Sequence, residues 1–168
     1  MFNTNFLKEL TILYVEDDEA ARNQLARTLN RLFKNVILAS NGLEGLLKYE
    51  DAIKNNLKID LILSDVNMPK LNGIEMLEKI RLSDKNIPII YTTARSETEF
   101  LLKAIDLHAD HYALKPINLE DIITRIQKVC EKRYFQNLID VKNKELQQYL
   151  SIINNVAAII KMNDKGEI

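Results

Sequence analysis

The stretch IDLILSDVNMPKLNG, Ile59 to Gly73, decides the fold. Its opening run is short and almost wholly apolar, as expected of a strand buried on both faces of a parallel sheet. Asp65 ends that run, and Asn67, Pro69, Asn72 and Gly73 follow as turn formers. The same pattern repeats outward in both directions, with short apolar runs at Thr11–Val15, Asn35–Ala39, Ile87–Tyr91 and Asp110–Leu114. Between the runs lie stripes at helical spacing: Leu25, Leu29 and Leu32; Leu43, Leu46, Leu47 and Ile53; Ile74, Leu77 and Ile80. Asn41 with Glu44, Ser96 with Glu99, and Asn118 with Asp121 have the spacing of helix-start boxes. Five strand–helix repeats predict an α/β fold, a doubly wound parallel sheet joined by right-handed crossovers.

Composition agrees and excludes other classes. The chain has 168 residues, 46% hydrophobic and 28% charged, with a formal net charge of -1. That suits a soluble globular protein able to bury a core without disulfides or structural metal. Near-zero charge argues against direct nucleic-acid binding, which needs clustered cations. A single cysteine, Cys130, makes no internal disulfide and is expected to pack on a helix face. No run approaches the roughly 20 apolar residues of a membrane span, and the first residues lack a signal-peptide core. A cytoplasmic location is therefore expected.

Ligands of such sheets bind beyond the carboxyl ends of the strands. The residues there are Glu16-Asp17-Asp18, Asp65-Val66-Asn67, Thr92-Thr93-Ala94 and Lys115-Pro116. Three adjacent acids resist ionisation together unless a cation relieves them, and Mg²⁺ prefers oxygen ligands of this kind. A carboxylate held rigidly at a strand end, as Asp65 is, can attack phosphorus and form an acyl phosphate. Lys115 would neutralise a phosphoryl oxygen and Thr93 would donate a hydrogen bond. Taken alone, Glu16–Asp18 would suit a helix N-terminus. Its place after a buried run, with Asp65 and Lys115 at the same edge, points to a site instead. His108 and His111 have no ligand spacing and are expected to be structural.

Together these marks resemble a response-regulator receiver domain of a two-component system, over residues 1–128. They are the acids after the first run, D-x-x-M-P-x-x-N-G from Asp65, Thr93-Ala94 and Lys115-Pro116. The resemblance implies the flavodoxin-like strand order 2-1-3-4-5. It also implies a phosphoacceptor signalling domain rather than an enzyme, with Asp65 receiving the phosphoryl group from a histidine kinase or histidine phosphotransfer protein. Glu16, Asp17, Asp65 and the Asn67 carbonyl would hold Mg²⁺, with Asp18 as an outer acid. Thr93 and Tyr112 would act as the switch, moving the face formed by the last strand and the helices beside it. A cis peptide is expected at Lys115-Pro116. His108 stands where the family commonly has glycine, which leaves the local geometry open. Arg95 and Asn67 flank the expected phosphoryl position and bear on how long the phosphate survives.

Two other classes fit less well. A haloacid-dehalogenase-type phosphatase needs an acid two residues after its nucleophile, where this chain has Asn67. A flavodoxin-like cofactor loop needs glycine and hydroxyls where this chain has three acids.

Residues 129–155 read as a helical, coiled-coil extension. Phe135, Lys142, Tyr149 and Val156 recur every seven residues, as do Ile139, Leu146, Ile153 and Ile160. The resulting seam predicts a parallel homodimer or, failing that, a stripe folded back on its own domain. Residues 156–168 read as strand, turn and strand, resembling the opening of a truncated PAS domain. On that reading the natural protein continues into an output domain, the alternative being a stand-alone receiver that acts by docking.

Overall fold

A computed structural model describes residues 3–94 and 109–164, with side chains to residue 161. Five short strands form one parallel sheet: β1 (Thr11–Val15), β2 (Asn35–Ala39), β3 (Leu61–Asp65), β4 (Ile89–Thr93) and β5 (His111–Leu114), in the order β2-β1-β3-β4-β5. The order is the one that the receiver resemblance implies. Strands β1, β3 and β4 are buried at every residue, which accounts for their near-continuous apolar runs.

Helices α1 (Thr4–Leu7), α2 (Glu19–Leu32), α3 (Gly42–Lys54), α4 (Gly73–Ile80) and α5 (Leu119–Asp164) complete the described elements. Two apolar clusters lie on opposite faces of the sheet. One holds Leu13, Val15, Ile62 and Tyr91 with Met76 and Leu77 of α4. The other holds Ile12, Tyr14, Leu61 and Leu63 with Leu25 and Leu29 of α2 and Ile122, Ile126 and Cys130 of α5. Compact packing divides the chain between Cys130 and Glu131. Among the described residues no helix is long and apolar enough to cross a membrane.

Helix starts follow their caps. Asn41 accepts a hydrogen bond from Glu44 N at 3.0 Å, and Asn118 accepts one from Asp121 N at 3.0 Å. Glu44 itself reaches Ser40 N, not Asn41 N. The complete reciprocal box forms at Asn72 and Glu75, at the head of α4. The pair Ser96 and Glu99 lies outside the described residues, as do Arg95 and His108.

Three expectations are corrected. The stripe assigned to α3 holds only at Leu46, which packs against the core; Leu43, Leu47 and Ile53 are exposed, and Gly42, Gly45, Tyr49 and Ala52 are buried instead. Close approach explains the choice, because a Cβ on Gly42 would lie 2.2 Å from Leu71 O, and one on Gly45 would lie 2.6 Å from Met76 Sδ. The fourth strand runs two residues later than its apolar run, so Thr92 and Thr93 belong to the strand. Pro88 has no N–H for a ladder, although its carbonyl accepts from Ile62 N at 2.9 Å.

The third correction is at the C-terminus. Val156–Met162 is helical, part of α5, not the strand expected of a PAS opening. The run contains Ala157 and Ala158 and no glycine or proline before Gly166, so nothing stops the preceding helix. A short apolar run fits helix or strand equally by periodicity.

Candidate functional site

The carboxyl ends of β1 and β3 and the residue after β5 deliver the site. Glu16 follows the last residue of β1, Asp65 is the last of β3, and Lys115 follows β5. The Lys115 ammonium sits 2.6 Å from Asp65 Oδ2 and 3.0 Å from Glu16 Oε1. Carboxylate oxygens of Glu16, Asp17 and Asp65 all lie within 4.8 Å of one another. Glu16 is 1% exposed and Asp65 6%, whereas Asp17 faces solvent.

Other groups fix this arrangement. Arg22 of α2 donates from Nη1 to the carbonyls of Glu16 at 2.7 Å and Asp17 at 3.3 Å, steadying the acidic turn. Asp18 accepts from Ala21 N at 2.7 Å and so caps α2. Lys115-Pro116 is cis, as expected from the resemblance. Behind Asp65, the Ser64 hydroxyl donates to Asp65 O at 2.8 Å, and Gly73 N donates to Val66 O at 2.9 Å. A Cβ on Gly73 would stand 2.2 Å from Asp65 O, so α4 starts against the backbone of Asp65.

Electrostatics follow from burial. Desolvation raises the pKa of Glu16 and of Asp65, while Lys115 pulls both the other way. For Lys115 burial opposes the charge, but hydrogen bonds to Asp65 and Glu16 outweigh it and hold the ammonium above its ordinary pKa. Lys115 thus pairs with two carboxylates, while the third, Asp17, stands within 4.8 Å of both. Glu16 Oε2 is also buried without a hydrogen-bond partner among the described residues. That donor set, hard oxygens with net negative charge, fits a divalent cation such as Mg²⁺.

Thr93 is buried at the end of β4 and its hydroxyl donates to Ala94 O at 3.3 Å. Asn67 is exposed just past Asp65. Tyr112 lies beside Tyr91 in the β4–β5 register, and their rings stack with centroids 6.4 Å apart. The Tyr112 hydroxyl is buried, with no partner among the described residues. Tyr91, which sequence reasoning passed over as core, also donates to Gly73 O at 3.3 Å. Only its phenol, unusual in a fully buried strand, could have marked it. His111 contacts Arg125 and has no place in the acidic group.

Residues 12–127 match the family model described as response regulator receiver domain. Among curated relatives, a cyclic di-GMP phosphodiesterase of Thermotoga maritima is 30% identical over 148 residues, covering 88% of this chain and 38% of that protein. The response regulator MprA of a Mycobacterium species is 36% identical over 121 residues, covering 72% of this chain and 50% of that protein. The chain thus spans about half, or less, of the length of these relatives. Among solved structures, the N-terminal domain of an uncharacterized protein from Wolinella succinogenes gives a TM-score of 0.68 at 31% identity, covering 76% of this chain and 98% of that one. A CheY-like receiver domain protein from Methanospirillum hungatei gives 0.68 at 27% identity, with the same coverage of 76% and 98%.

Proposed function

Because the chain belongs to the response regulator receiver domain family, we propose that Asp65 accepts a phosphoryl group from the phosphohistidine of a histidine kinase or phosphotransfer protein. The observation that carries this reading is Lys115 bridging Asp65 and Glu16 while Asp17 stands within 4.8 Å of both. A carboxylate oxygen of Asp65 attacks phosphorus, the P–N bond to the donor breaks, and its electron pair leaves with the imidazole. Lys115 stays as a point charge beside one phosphoryl oxygen. The Thr93 hydroxyl turns from Ala94 O to donate to another. Glu16, Asp17, Asp65 and the Asn67 carbonyl are the groups to hold Mg²⁺. The bound ion supplies positive charge against the charge that builds on the phosphoryl oxygens.

Movement of Thr93 makes room for the Tyr112 ring, and the surface around β5 changes its preference for partners. Residues 1–128 form the receiver and 129–155 a helical linker, in a cytoplasmic signalling protein whose own chemistry is limited to taking and losing this phosphoryl group. Output passes through α5, by homodimerisation of its exposed seam. Similarity to the Thermotoga protein supports a role for the helix, since a match covering 148 of 168 residues reaches at least residue 148. An attached output domain is favoured over a stand-alone receiver because the matched region is only 38% and 50% of these curated relatives.

The test uses Mg²⁺ with beryllofluoride, a phosphoryl mimic, and amide NMR spectra of the chain. Wild type is expected to shift signals at Asp65, Thr93 and Tyr112, and Asp65→Asn to show none of these changes. An unresponsive wild type, or an equal response in Asp65→Asn, defeats the reading.

A further inference from the structure

We propose that Tyr91 is a positioning residue for the phosphoryl switch: its ring supports the Tyr112 ring, and its hydroxyl ties that ring pair to Gly73, directly behind Asp65. The proposal rests on the reading of Tyr112 as a switch, made above. A fully buried strand residue needs only apolar bulk, as Ile89 and Ile90 beside it supply. Tyr91 is equally buried yet carries a phenol, whose hydroxyl costs free energy to bury unless it finds a partner. The partner it finds, Gly73 O at 3.3 Å, belongs to the first residue of α4.

Gly73 is the residue through which α4 meets the phosphoacceptor. It lies so close to β3 that a Cβ would stand 2.2 Å from Asp65 O and 2.9 Å from Ser64 Oγ. Its N–H donates to Val66 O at 2.9 Å, and the Val66 N–H donates to Thr92 O at 3.2 Å. On the other side Tyr91 neighbours Tyr112 in the β4–β5 register, and the two rings stack at an interplanar angle of 15°. Contacts therefore run from the Asp65 backbone to Gly73, then to Tyr91 and to Tyr112.

This route is separate from the Thr93 hydroxyl. Thr93 acts by giving up space as it turns to the phosphoryl group, whereas Tyr91 acts by holding the ring that takes that space. The Tyr112 hydroxyl is already buried and has no partner among the described residues, so packing, including the stack on Tyr91, holds the ring inward. At 3.3 Å the bond from Tyr91 to Gly73 is longer than an ordinary O–H···O bond. It has room to tighten as the start of α4 closes on a loaded Asp65. Inward placement of Tyr112 and loading of Asp65 then favour each other by one coupling free energy, the same read from either end.

A double-mutant cycle on the full chain tests this, with half-saturation by beryllofluoride at fixed Mg²⁺ read from the Asp65 amide signal. Tyr112→Ala alone is expected to weaken binding. Tyr91→Phe keeps the ring and removes the tie; it should weaken binding about threefold with Tyr112 present, and by less than about 1.5-fold in a Tyr112→Ala background. Tyr91→Leu, which removes the ring as well, should move the Tyr112 ring signals toward those of an exposed tyrosine before any beryllofluoride is added. Unchanged affinity in Tyr91→Phe overturns the tie, and equal weakening in both backgrounds makes Tyr91 a packing residue and overturns the proposal. Unmoved Tyr112 signals in a folded Tyr91→Leu overturn the role of the ring. If Tyr112→Ala binds as tightly as wild type and the wild-type Tyr112 signals ignore beryllofluoride, the switch reading falls and this one with it. If Tyr112→Ala weakens binding and Tyr91→Phe does not, the switch reading stands and the role of Tyr91 alone falls.

Discussion

At neutral pH the Asp65 carboxylate shares a buried pocket with Glu16, and Lys115 answers both. Because burial raises the pKa of Asp65 in the folded chain, the folded state holds that proton more tightly than the unfolded one. The stability this contributes is full below the unfolded value of roughly 4 and is lost as pH rises through the higher folded value. Asp65→Asn is therefore expected to stabilise the metal-free chain by about 1–2 kcal/mol at pH 7.5, with the gain shrinking toward pH 4. Urea unfolding of both proteins at the two pH values measures it; a less stable Asp65→Asn at pH 7.5 refutes it. Lys115, Glu16 and Asp65 were legible because chemistry at strand ends leaves acids and a lysine where a buried run stops. The supports were not. Asp18 reads as one more acid yet caps α2, and Arg22, which no motif marks, binds the carbonyls of Glu16 and Asp17. Such roles depend on where a backbone turn points its carbonyls, which spacing does not encode.

Among the elements, α3 shows where pattern reading fails. Its leucines look like a core stripe, but the face against the sheet is chosen by how near the backbone must come. Gly42→Ala is expected to cost about 3 kcal/mol, because Leu71 O leaves no room for a Cβ. Leu47→Gln, on the exposed side, should change stability by no more than about 0.5 kcal/mol. Equal effects in thermal or denaturant unfolding would show that the helix sits on its leucine face after all. Strands β1 and β3 and helices α2 and α4 were readable because their buried residues are large and apolar, so the pattern and the packing agree. The end of α5 was not, because Val156–Met162 has the local composition of a strand and only its continuity with the preceding turns makes it helix.

At the scale of the molecule, the packing boundary between Cys130 and Glu131 separates a unit with its own core from a stretch whose apolar side chains are exposed. A chain ending at Tyr134 should thus melt within about 3 °C of the full one, keep its response to Mg²⁺ and beryllofluoride, and sediment as a monomer. A large loss of melting temperature would mean that the core extends further along α5 than its contacts suggest.

Cys130 sits at that boundary, 4% exposed and packed in the cluster with Ile122 and Ile126. Since the chain has one cysteine, its sulfur is a built-in clock for the first step of α5 lifting from the sheet. A thiol reagent can modify it only in the opened form, so the modification rate reports the free energy of that opening. Loading the phosphoacceptor pocket with beryllofluoride should change the rate in wild type and leave it unchanged in Asp65→Asn. A native label thereby times the passage of a signal from the acids to the helix, with nothing attached to the protein.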